Sequence, residues 1–225
     1  EVTGLSRDGE GFAVQCTSGE QRCKAVVLAT GAAHRHLGLD GEEELVGCGV
    51  SYCAVCDGAF YTGRDVAVVG GGDTALQDAL FLANSCRHVT LIHRRDQFRG
   101  EDRLVRQVEN RENITILYSH TVETLHAANG ELTGVTVKDV KTGEEKELAV
   151  EGLFAAVGQQ PQSAPFAALV NTAGDYYQAG EDTLTDCGGV FAAGDGRVKS
   201  VRQLTTAVGD GAVAGLAACR YVDAL

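Results

Sequence analysis

Short apolar runs alternate with helix-like segments through the middle of the chain. The apolar runs cover residues 66–69, 88–92 and 114–118, and the helix-like segments between them cover about 74–83 and 101–109. Strands that alternate with helices in this way build parallel sheets with helices packed on their faces. The pattern therefore predicts an α/β fold with a doubly wound, Rossmann-like sheet, and an apolar run over 152–158 adds a further buried strand.

The pattern changes on both sides of this central part. Between residues 122 and 150 apolar and polar positions alternate, with turns at Asn129-Gly130 and Thr142-Gly143, which predicts an antiparallel meander attached to the sheet. Strands are also predicted over 12–16, 25–29 and 190–193, and a helix from about 204 to 221. The run over 25–29 is apolar throughout, which is typical of a strand buried on both faces of a parallel sheet.

Composition limits the partners and the compartment. The 225 residues carry a net charge of −12, which disfavours non-specific binding to nucleic acid or to anionic membranes, and no apolar run is long enough to span a bilayer. Eight cysteines are scattered along a chain long enough to build its own core, so we expect a cytoplasmic, reducing setting with most thiols free. The chain begins at Glu1 and contains no methionine, so we expect it to be processed or to be part of a longer product.

The segment Cys53-Ala54-Val55-Cys56-Asp57-Gly58 places two thiols close together in sequence. Cysteines at this spacing can close a small disulfide ring, and beside a βαβ pattern the spacing indicates a redox motif. Because the thiolate is the attacking species in disulfide exchange, Asp57 is a candidate for carrying protons as the thiols open and close. A bare C-x-x-C also occurs by chance, so its meaning depends on the rest of the chain.

The strand over 66–69 runs into Gly70-Gly71-Gly72-Asp73-Thr74-Ala75, which fits a dinucleotide-binding fingerprint. The first glycine permits a tight turn, the second lets the backbone approach a pyrophosphate, and the small alanine allows close packing of helix on strand. The free N–H groups at the helix start face the anion. We therefore take Gly70, Gly72, Asp73 and Thr74 as candidates for dinucleotide binding. A second match over 209–214 follows no strand and lies within a helical run, so it is set aside.

Basic residues follow the next strand, where an NAD site would usually carry an acidic one. The sequence there is His93-Arg94-Arg95, with Arg99 one turn later. Guanidinium groups can neutralise a 2′-phosphate and form bidentate hydrogen bonds to it, whereas they contribute little to binding an unmodified ribose. The cluster favours NADPH over NADH, the alternative being a solvated basic patch.

Two further features leave alternatives open. Gly194-Asp195 after an apolar strand, with Arg202-Gln203 ahead of a helix, could serve a flavin, but residue types alone favour a strand-end turn with an aspartate cap. Cys48, Cys53 and Cys56 have the spacing of a plant-type iron–sulfur site, with Cys86 as a distant fourth ligand. We expect Cys86 at the opposite edge of the sheet, which weakens that hypothesis, and no second C-x-x-C or spaced histidine pair supports zinc or any other metal.

Taken together, the motifs resemble those of the low-molecular-weight, bacterial-type thioredoxin reductases. The matching elements occur in the family's order and cover nearly the whole chain: Ala29-Thr30-Gly31, the segment 53–58, the fingerprint over 68–75, His93-Arg94-Arg95 with Phe98-Arg99, and Ala192-Ala193-Gly194-Asp195 with Arg202-Gln203. The resemblance implies an NADPH-binding domain over 41–158 that carries the redox pair. This domain would be inserted into an FAD-binding domain made of 1–40 and 159–225. The residues expected to bind FAD are Thr30, Gly194, Asp195, Arg202 and Gln203.

The resemblance also implies a function. Hydride would pass from NADPH to FAD, and reduced FAD would open a Cys53–Cys56 disulfide, with Cys56 next to the flavin and Asp57 handling protons. Cys53 would attack the disulfide of thioredoxin or of a similar small protein, and the parent enzyme would be a homodimer.

One departure from the family is large. Its members begin with another strand and a G-x-G-x-x-G turn that hold the ADP half of FAD, and nothing before Val26 matches them. We therefore expect the FAD-binding domain to be incomplete and FAD to be held poorly or not at all. An NADPH-binding fragment without activity of its own, and less favourably an iron–sulfur electron carrier, remain alternatives.

Overall fold

The structure is a computed structural model that describes residues 1–225. Its four α-helices are α1 (Ala54–Asp57), α2 (Asp73–Leu82), α3 (Asp102–Glu109) and α4 (Leu204–Asp223). The strands are β1 (Val2–Asp8), β2 (Gly11–Cys16), β3 (Gly19–Cys23), β4 (Val26–Leu28), β5 (Ala32–His34), β6 (Val50–Ser51), β7 (Asp65–Gly70), β8 (His88–His93), β9 (Ile114–Tyr118), β10 (His120–Ala128), β11 (Glu131–Asp139), β12 (Glu145–Leu148), β13 (Gly152–Ala156), β14 (Gln159–Pro161), β15 (Thr172–Ala173), β16 (Tyr176–Tyr177) and β17 (Val190–Ala192). None of the helices has the length and apolar character that a membrane crossing requires.

The chain forms two compact units. The continuous unit is His34–Gly158, and the discontinuous unit combines Glu1–Ala33 with Gln159–Leu225. Each contains its own clusters of buried apolar side chains.

A five-stranded parallel sheet with the order β6-β13-β7-β8-β9 is the centre of the continuous unit. Successive side chains of a strand point to opposite faces, so each apolar strand can bury both of its faces. In β7, Val66 and Val68 pack with Leu76 of α2 on one face, whereas Ala67 packs on the other. The predicted Rossmann-like parallel sheet is confirmed.

The second face of this sheet is covered by the antiparallel sheet β10-β11-β12. Val135 and Val137 of β11 are fully buried and cluster with Ala67 and Leu153 of the parallel sheet. The tight turn between β10 and β11 is made by Asn129 and Gly130, both with positive φ (54° and 83°), as a two-residue hairpin turn requires. The predicted meander is confirmed.

The discontinuous unit contains smaller sheets. The antiparallel sheet β1-β2-β3 stands beside the two-stranded parallel pair β17-β4, and two further pairs are β15-β16 and β14-β5. Phe12, Leu28 and Val190 share one buried cluster, and Ala214 of α4 packs with Phe191 and Ala193 in another. The predicted helix over 204–221 is confirmed.

The expectation that the strand over 25–29 is buried on both faces is wrong. The strand is shorter, β4, and its one neighbour in the sheet is β17. Leu28 is buried, but Val27 is 39% exposed. An apolar run predicts burial only where a second layer covers the sheet, and in this structure no such layer covers Val27.

Candidate active site

The carboxyl ends of the parallel strands bring the motifs of the continuous unit to one edge of the sheet. Ser51 of β6 lies level with Phe154 of β13, which lies level with Val68 of β7. Cys53 and Gly70 each follow two residues beyond that level, with one strand between them, so a lateral separation of about 10 Å is expected from the strand spacing. Ligands of open α/β sheets bind at this edge.

Cys53 and Cys56 are joined by a disulfide bond. Cys53 is the residue that caps the start of α1, and its Sγ accepts a hydrogen bond of 3.1 Å from the backbone N–H of Cys56. A donor aimed at this sulfur would stabilise a thiolate on Cys53 once the disulfide opens. Cys53 is half-buried, and Cys56 is the more exposed of the two.

Asp57 lies at the end of α1 and is held by Ser51. The Ser51 hydroxyl donates to Asp57 Oδ2 at 2.6 Å, and the same hydroxyl oxygen accepts the backbone N–H of Cys53 at 3.0 Å. Ser51 therefore connects the carboxylate to the redox pair through hydrogen bonds. Burial, and then the charge of Asp57, raise the pKa of the neighbouring phenol of Tyr61.

The dinucleotide fingerprint forms a turn between β7 and α2 that has no room for a side chain at Gly70 or Gly71. A Cβ placed on Gly70 would lie 2.5 Å from the carbonyl oxygen of Ala156 and 2.6 Å from Cβ of Ala75. This close packing of helix on strand is what the small residue at Ala75 was predicted to allow. Nothing lies within 4 Å of a Cβ placed on Gly72, and Asp73 and Thr74 are exposed in the first turn of α2. The start of the helix is thus open to an anion.

The structure separates the basic cluster into two kinds of residue. Arg94, Arg95 and Arg99 are exposed just beyond the end of β8. His93 is only 5% exposed, and its Nε2 lies 2.9 Å from the carbonyl oxygen of Gln97. A Cβ placed on Gly71 would overlap the His93 imidazole, so the ring fills the space beneath the fingerprint turn. Burial lowers the pKa of His93, although its hydrogen bond to Gln97 opposes this effect.

The discontinuous unit repeats this arrangement at a smaller scale. Leu28 of β4 lies level with Ala192 of β17, and Thr30 and Gly194 each follow two residues later at the carboxyl edge. Gly31 and Gly194 have φ of 70° and 75°, a conformation that favours glycine. A Cβ on Gly196 would lie 3.2 Å from the carbonyl oxygen of Gly31, so the two turns are close together.

Asp195 follows Gly194 in this edge, and one of its carboxylate oxygens is unusual. Oδ1 is buried and has no hydrogen-bond partner in the protein. Buried polar atoms are nearly always paired, so an unpaired one indicates a position where a ligand completes the structure. The guanidinium of Arg202 donates to the carbonyl oxygen of Asp195 at 3.3 Å and stacks on the ring of Tyr176 at 4.1 Å. Gln203 caps the start of α4 through a capping box with Thr206.

A buried ion-pair network holds this turn in place. Arg197 is 1% exposed and donates to both carboxylate oxygens of Asp210, at 2.7 and 2.8 Å. Asp210 also accepts from Lys199 at 2.8 Å and from the backbone N–H of Gly194 at 2.9 Å. The hydrogen bonds from Arg197 lower the pKa of Asp210 and, reciprocally, raise the pKa of Arg197. Asp210 of α4 is thereby fixed to the turn that carries Asp195.

Some residues beside the redox pair were not predicted from the sequence. Ser51 carries no recognisable motif, and only the register of β6 shows that it reaches Asp57. Val55 and Phe60 are apolar yet 62% and 76% exposed, on the same short segment as the disulfide. Tyr52 donates to the buried Glu42 at 2.8 Å, and burial followed by this hydrogen bond raises the pKa of Tyr52.

The iron–sulfur hypothesis is not favoured by this geometry. Cys53 and Cys56 bond to each other. Cys86 is buried just before β8 begins, at the amino edge of the sheet, which is the position we expected for it. The cysteines that the hypothesis requires are therefore on opposite edges of one sheet, and no group of three or more candidate metal ligands occurs.

Comparison with known proteins gives one family and several relatives. The family model "Pyridine nucleotide-disulphide oxidoreductase" matches residues 1–211. The chain is 41% identical to the thioredoxin reductase of Bacillus subtilis (strain 168) over 220 residues, 97% of this chain and 70% of that protein. It is 39% identical to the thioredoxin reductase of Treponema pallidum (strain Nichols) over 227 residues, 100% of this chain and 73% of the relative. The crystal structure of thioredoxin reductase from Streptococcus pyogenes MGAS5005 is similar with a TM-score of 0.94 and 35% identity, covering 100% of this chain and 74% of that one.

Proposed function

The chain belongs to the pyridine nucleotide-disulphide oxidoreductases, as a relative of the thioredoxin reductases, and we propose that it passes electrons from NADPH through FAD and the Cys53–Cys56 disulfide to thioredoxin or a similar small disulfide protein. The observation that carries the proposal is the Cys53–Cys56 disulfide at the same sheet edge as a dinucleotide fingerprint with a basic loop. We assign NADPH binding to the continuous unit and FAD binding to the discontinuous unit.

The residues at the carboxyl edge of the parallel sheet fit NADPH. Gly70 allows the close packing of α2 on β7, and Gly72 leaves the backbone open to the pyrophosphate. The free N–H groups of Asp73 and Thr74 lie in the first turn of α2 beside it. Arg94, Arg95 and Arg99 are exposed with no acidic residue at the end of β8 to accept a ribose hydroxyl, which supports recognition of a 2′-phosphate.

The residues of the discontinuous unit fit a flavin nucleotide. The unpaired, buried Oδ1 of Asp195 needs a donor, and a ribityl or ribose hydroxyl provides one. Thr30, Gly194, Arg202 and Gln203 surround the same carboxyl edge of β4 and β17, in keeping with the flavin assignment. Bound FAD would supply a group that accepts hydride from NADPH and delivers an electron pair to a disulfide.

The thiol chemistry follows from the redox segment. Reduction breaks the Cys53–Cys56 bond, and two electrons and two protons convert it to two thiols. The Cys53 thiolate, stabilised by the Cys56 N–H, attacks one sulfur of the partner's disulfide, and the other partner sulfur leaves and takes a proton. Cys56 then attacks Cys53, which restores the internal disulfide and releases the partner as a dithiol. In sum, NADPH, one proton and a disulfide give NADP⁺ and a dithiol.

Asp57 is the residue we assign to proton transfer. Its hydrogen bond to Ser51 connects it to the backbone of Cys53. Asp57 therefore lies in the same hydrogen-bonded group as the redox pair and can exchange protons with the thiols as they form. The assignment of Cys56 to the flavin and Cys53 to the partner follows the family resemblance, to which the hydrogen bond on Cys53 Sγ adds a physical reason.

The partner assignment has support in the exposed apolar residues next to the disulfide. Val55 and Phe60 are exposed on the segment that carries the disulfide, and the apolar core of an interface with a small disulfide protein would cover them. The six cysteines other than the redox pair are free, which favours a reducing cytoplasm. The resemblance alone supports a homodimer.

The test is NADPH oxidation followed at 340 nm with oxidised thioredoxin and added FAD. Because the sequence predicts that FAD is held poorly, we expect oxidation that depends both on thioredoxin and on the added FAD. Cys53→Ser and Cys56→Ser should each abolish the oxidation while NADP⁺ affinity, measured by calorimetry, stays unchanged.

Other outcomes identify the alternatives. A colourless protein that binds NADPH without turnover would support the inactive fragment, and a brown protein with iron–sulfur bands would support the electron carrier. Oxidation that persists in the cysteine variants would contradict the proposed route through the disulfide.

A further inference from the structure

The loop after β8, residues 97–101, is attached to the start of α2 at three points. The backbone N–H of Arg99 donates to the carbonyl oxygen of Gly71 at 2.8 Å. The backbone N–H of Glu101 donates to Asp73 Oδ1 at 2.7 Å. Below them, the buried His93 ring lies under Gly71 and against the carbonyl oxygen of Gln97. We call these three attachments the dinucleotide clamp.

The loop packs closely against the start of α2 at Gly100. A Cβ placed on Gly100 would lie 2.5 Å from Leu76 Cδ1, 2.8 Å from Asp73 Oδ1 and 3.2 Å from the backbone nitrogen of Asp73. Any side chain there would push the loop away from α2. His93 is further fixed by Phe98, whose ring lies 5.3 Å away and itself contacts the Tyr118 ring at 4.8 Å.

We infer that the dinucleotide clamp sets the preference for a 2′-phosphorylated dinucleotide, with Asp73 as a positioning residue rather than a ligand. The inference rests on the proposed function, since it takes NADPH binding at this edge as given. In the ligand, the ribose that joins the pyrophosphate to the 2′-phosphate limits the distance between these two groups. In the protein, the pyrophosphate would bind at the start of α2, and Arg99 on the loop would bind the 2′-phosphate. The clamp joins the loop to α2 and so sets the distance between these two binding positions.

The chemistry of Asp73 supports a positioning role. A carboxylate at a helix start that must accept pyrophosphate adds a like charge to the site, which opposes anion binding. Its Oδ1 is already occupied by the Glu101 N–H, which is the bond that fixes the loop. Guanidinium–phosphate contacts depend on fork geometry, and displacement of a site by about 1 Å is enough to lose such contacts.

The test compares NADP⁺ and NAD⁺ affinities of the whole chain by calorimetry in wild type and three variants. Asp73→Ala removes the clamp acceptor and should lower the preference for NADP⁺ over NAD⁺ by about tenfold, the worth of one charge-assisted hydrogen bond. Asp73→Asn keeps an acceptor oxygen and should retain the preference. Asp102→Ala removes an equal charge from the exposed first turn of α3 and should also retain it.

The measured ratio distinguishes positioning from a merely structural role. Equal losses of affinity for both dinucleotides in Asp73→Ala, or loss of preference in Asp73→Asn as well, would overturn the inference while leaving NADPH binding intact. A wild-type chain with no preference for NADP⁺ would overturn the proposed function instead. If Asp73→Ala does not fold, Gly100→Ala disturbs the clamp from the loop side, and an unchanged ratio there overturns the inference too.

Discussion

At the scale of single residues, Asp78 is a carboxyl group whose burial lowers the stability of the fold at neutral pH. It is half-buried in α2, and burial raises its pKa to about 6. The unfolded carboxyl titrates near 3.9, so the folded state holds the proton more tightly. The contribution of Asp78 to stability is therefore fully present below about pH 4 and is lost as the pH rises from about 4 to about 6.

Asp78→Asn should remove this loss. We expect the variant to be more stable than wild type at pH 7 by about 2 kcal/mol, and the difference to shrink toward zero near pH 4. Urea unfolding at both pH values measures it, with the exposed Asp102→Asn as control. An equal gain at pH 4 and pH 7 would show that the effect is not a titration of Asp78.

The arginines after β8 allow a second prediction at this scale. Replacing Arg94 and Arg95 together by alanine should weaken NADPH binding by about a hundredfold or more, since each charge-assisted hydrogen bond contributes about 1.5–3 kcal/mol. NADH should lose far less, because it lacks the 2′-phosphate. Competitive titration measures both affinities. The control replaces Arg64 and Arg87 together by alanine, which removes two charges at the opposite edge of the sheet. Similar losses for the two nucleotides would contradict the 2′-phosphate assignment.

Single residues also show where sequence reasoning stops. The fingerprint glycines, the arginines and the redox cysteines are visible because local patterns mark them. His93 stands next to Arg94 in sequence, yet the alternation of β8 turns it inward beneath Gly71. Ser51 reaches Asp57 only because the chain turns back through α1. Such roles depend on tertiary contacts that neighbouring sequence does not encode.

At the scale of elements, buried strands were predictable and exposed ones were not. β7 and β8 have buried apolar residues on both faces, one covered by helices and the other by the meander, so their apolar runs predicted strands inside the sheet. β3 exposes four of its five residues and has no buried face to produce an alternation, so it was not predicted. β1 likewise buries no residue fully, and it was not predicted.

Strand β13, which lies between β6 and β7, provides a prediction on how strand and ring pack together. A Cβ placed on Gly152 would lie 2.7 Å from two ring atoms of Tyr61, which packs edge-to-face on Phe154 at 5.3 Å. Gly152→Ala should therefore force the ring aside and cost about 1–3 kcal/mol of unfolding free energy.

A double-mutant cycle isolates this contact. In a Tyr61→Leu background the ring is absent, so Gly152→Ala should cost much less than it does alone. Urea unfolding of the four proteins gives the coupling energy. An additive result would mean that the alanine acts through the strand itself and not through Tyr61.

At the scale of the whole molecule, the two units differ in the size of their sheets and in how far those sheets are covered. The continuous unit has a five-stranded sheet covered on both faces, whereas the sheets of the discontinuous unit have two or three strands and leave apolar residues such as Val27 and Leu204 exposed. Sheet edges without neighbours and uncovered apolar faces lower local stability. We therefore expect the discontinuous unit to open at lower denaturant concentration than the continuous unit.

NADP⁺ should increase the difference in stability between the two units, because every residue that we assign to NADP⁺ binding lies in the continuous unit. A ligand stabilises only the structure that binds it, and at a hundredfold excess over its Kd the gain is about 2.7 kcal/mol. Hydrogen exchange resolved by peptide should show slower exchange for 34–158 on adding NADP⁺ and no change for 1–33 and 159–225, with NAD⁺ at equal concentration as control. Equal protection of both parts would show one cooperative unit, and then a substitution in either part would change the stability of the other.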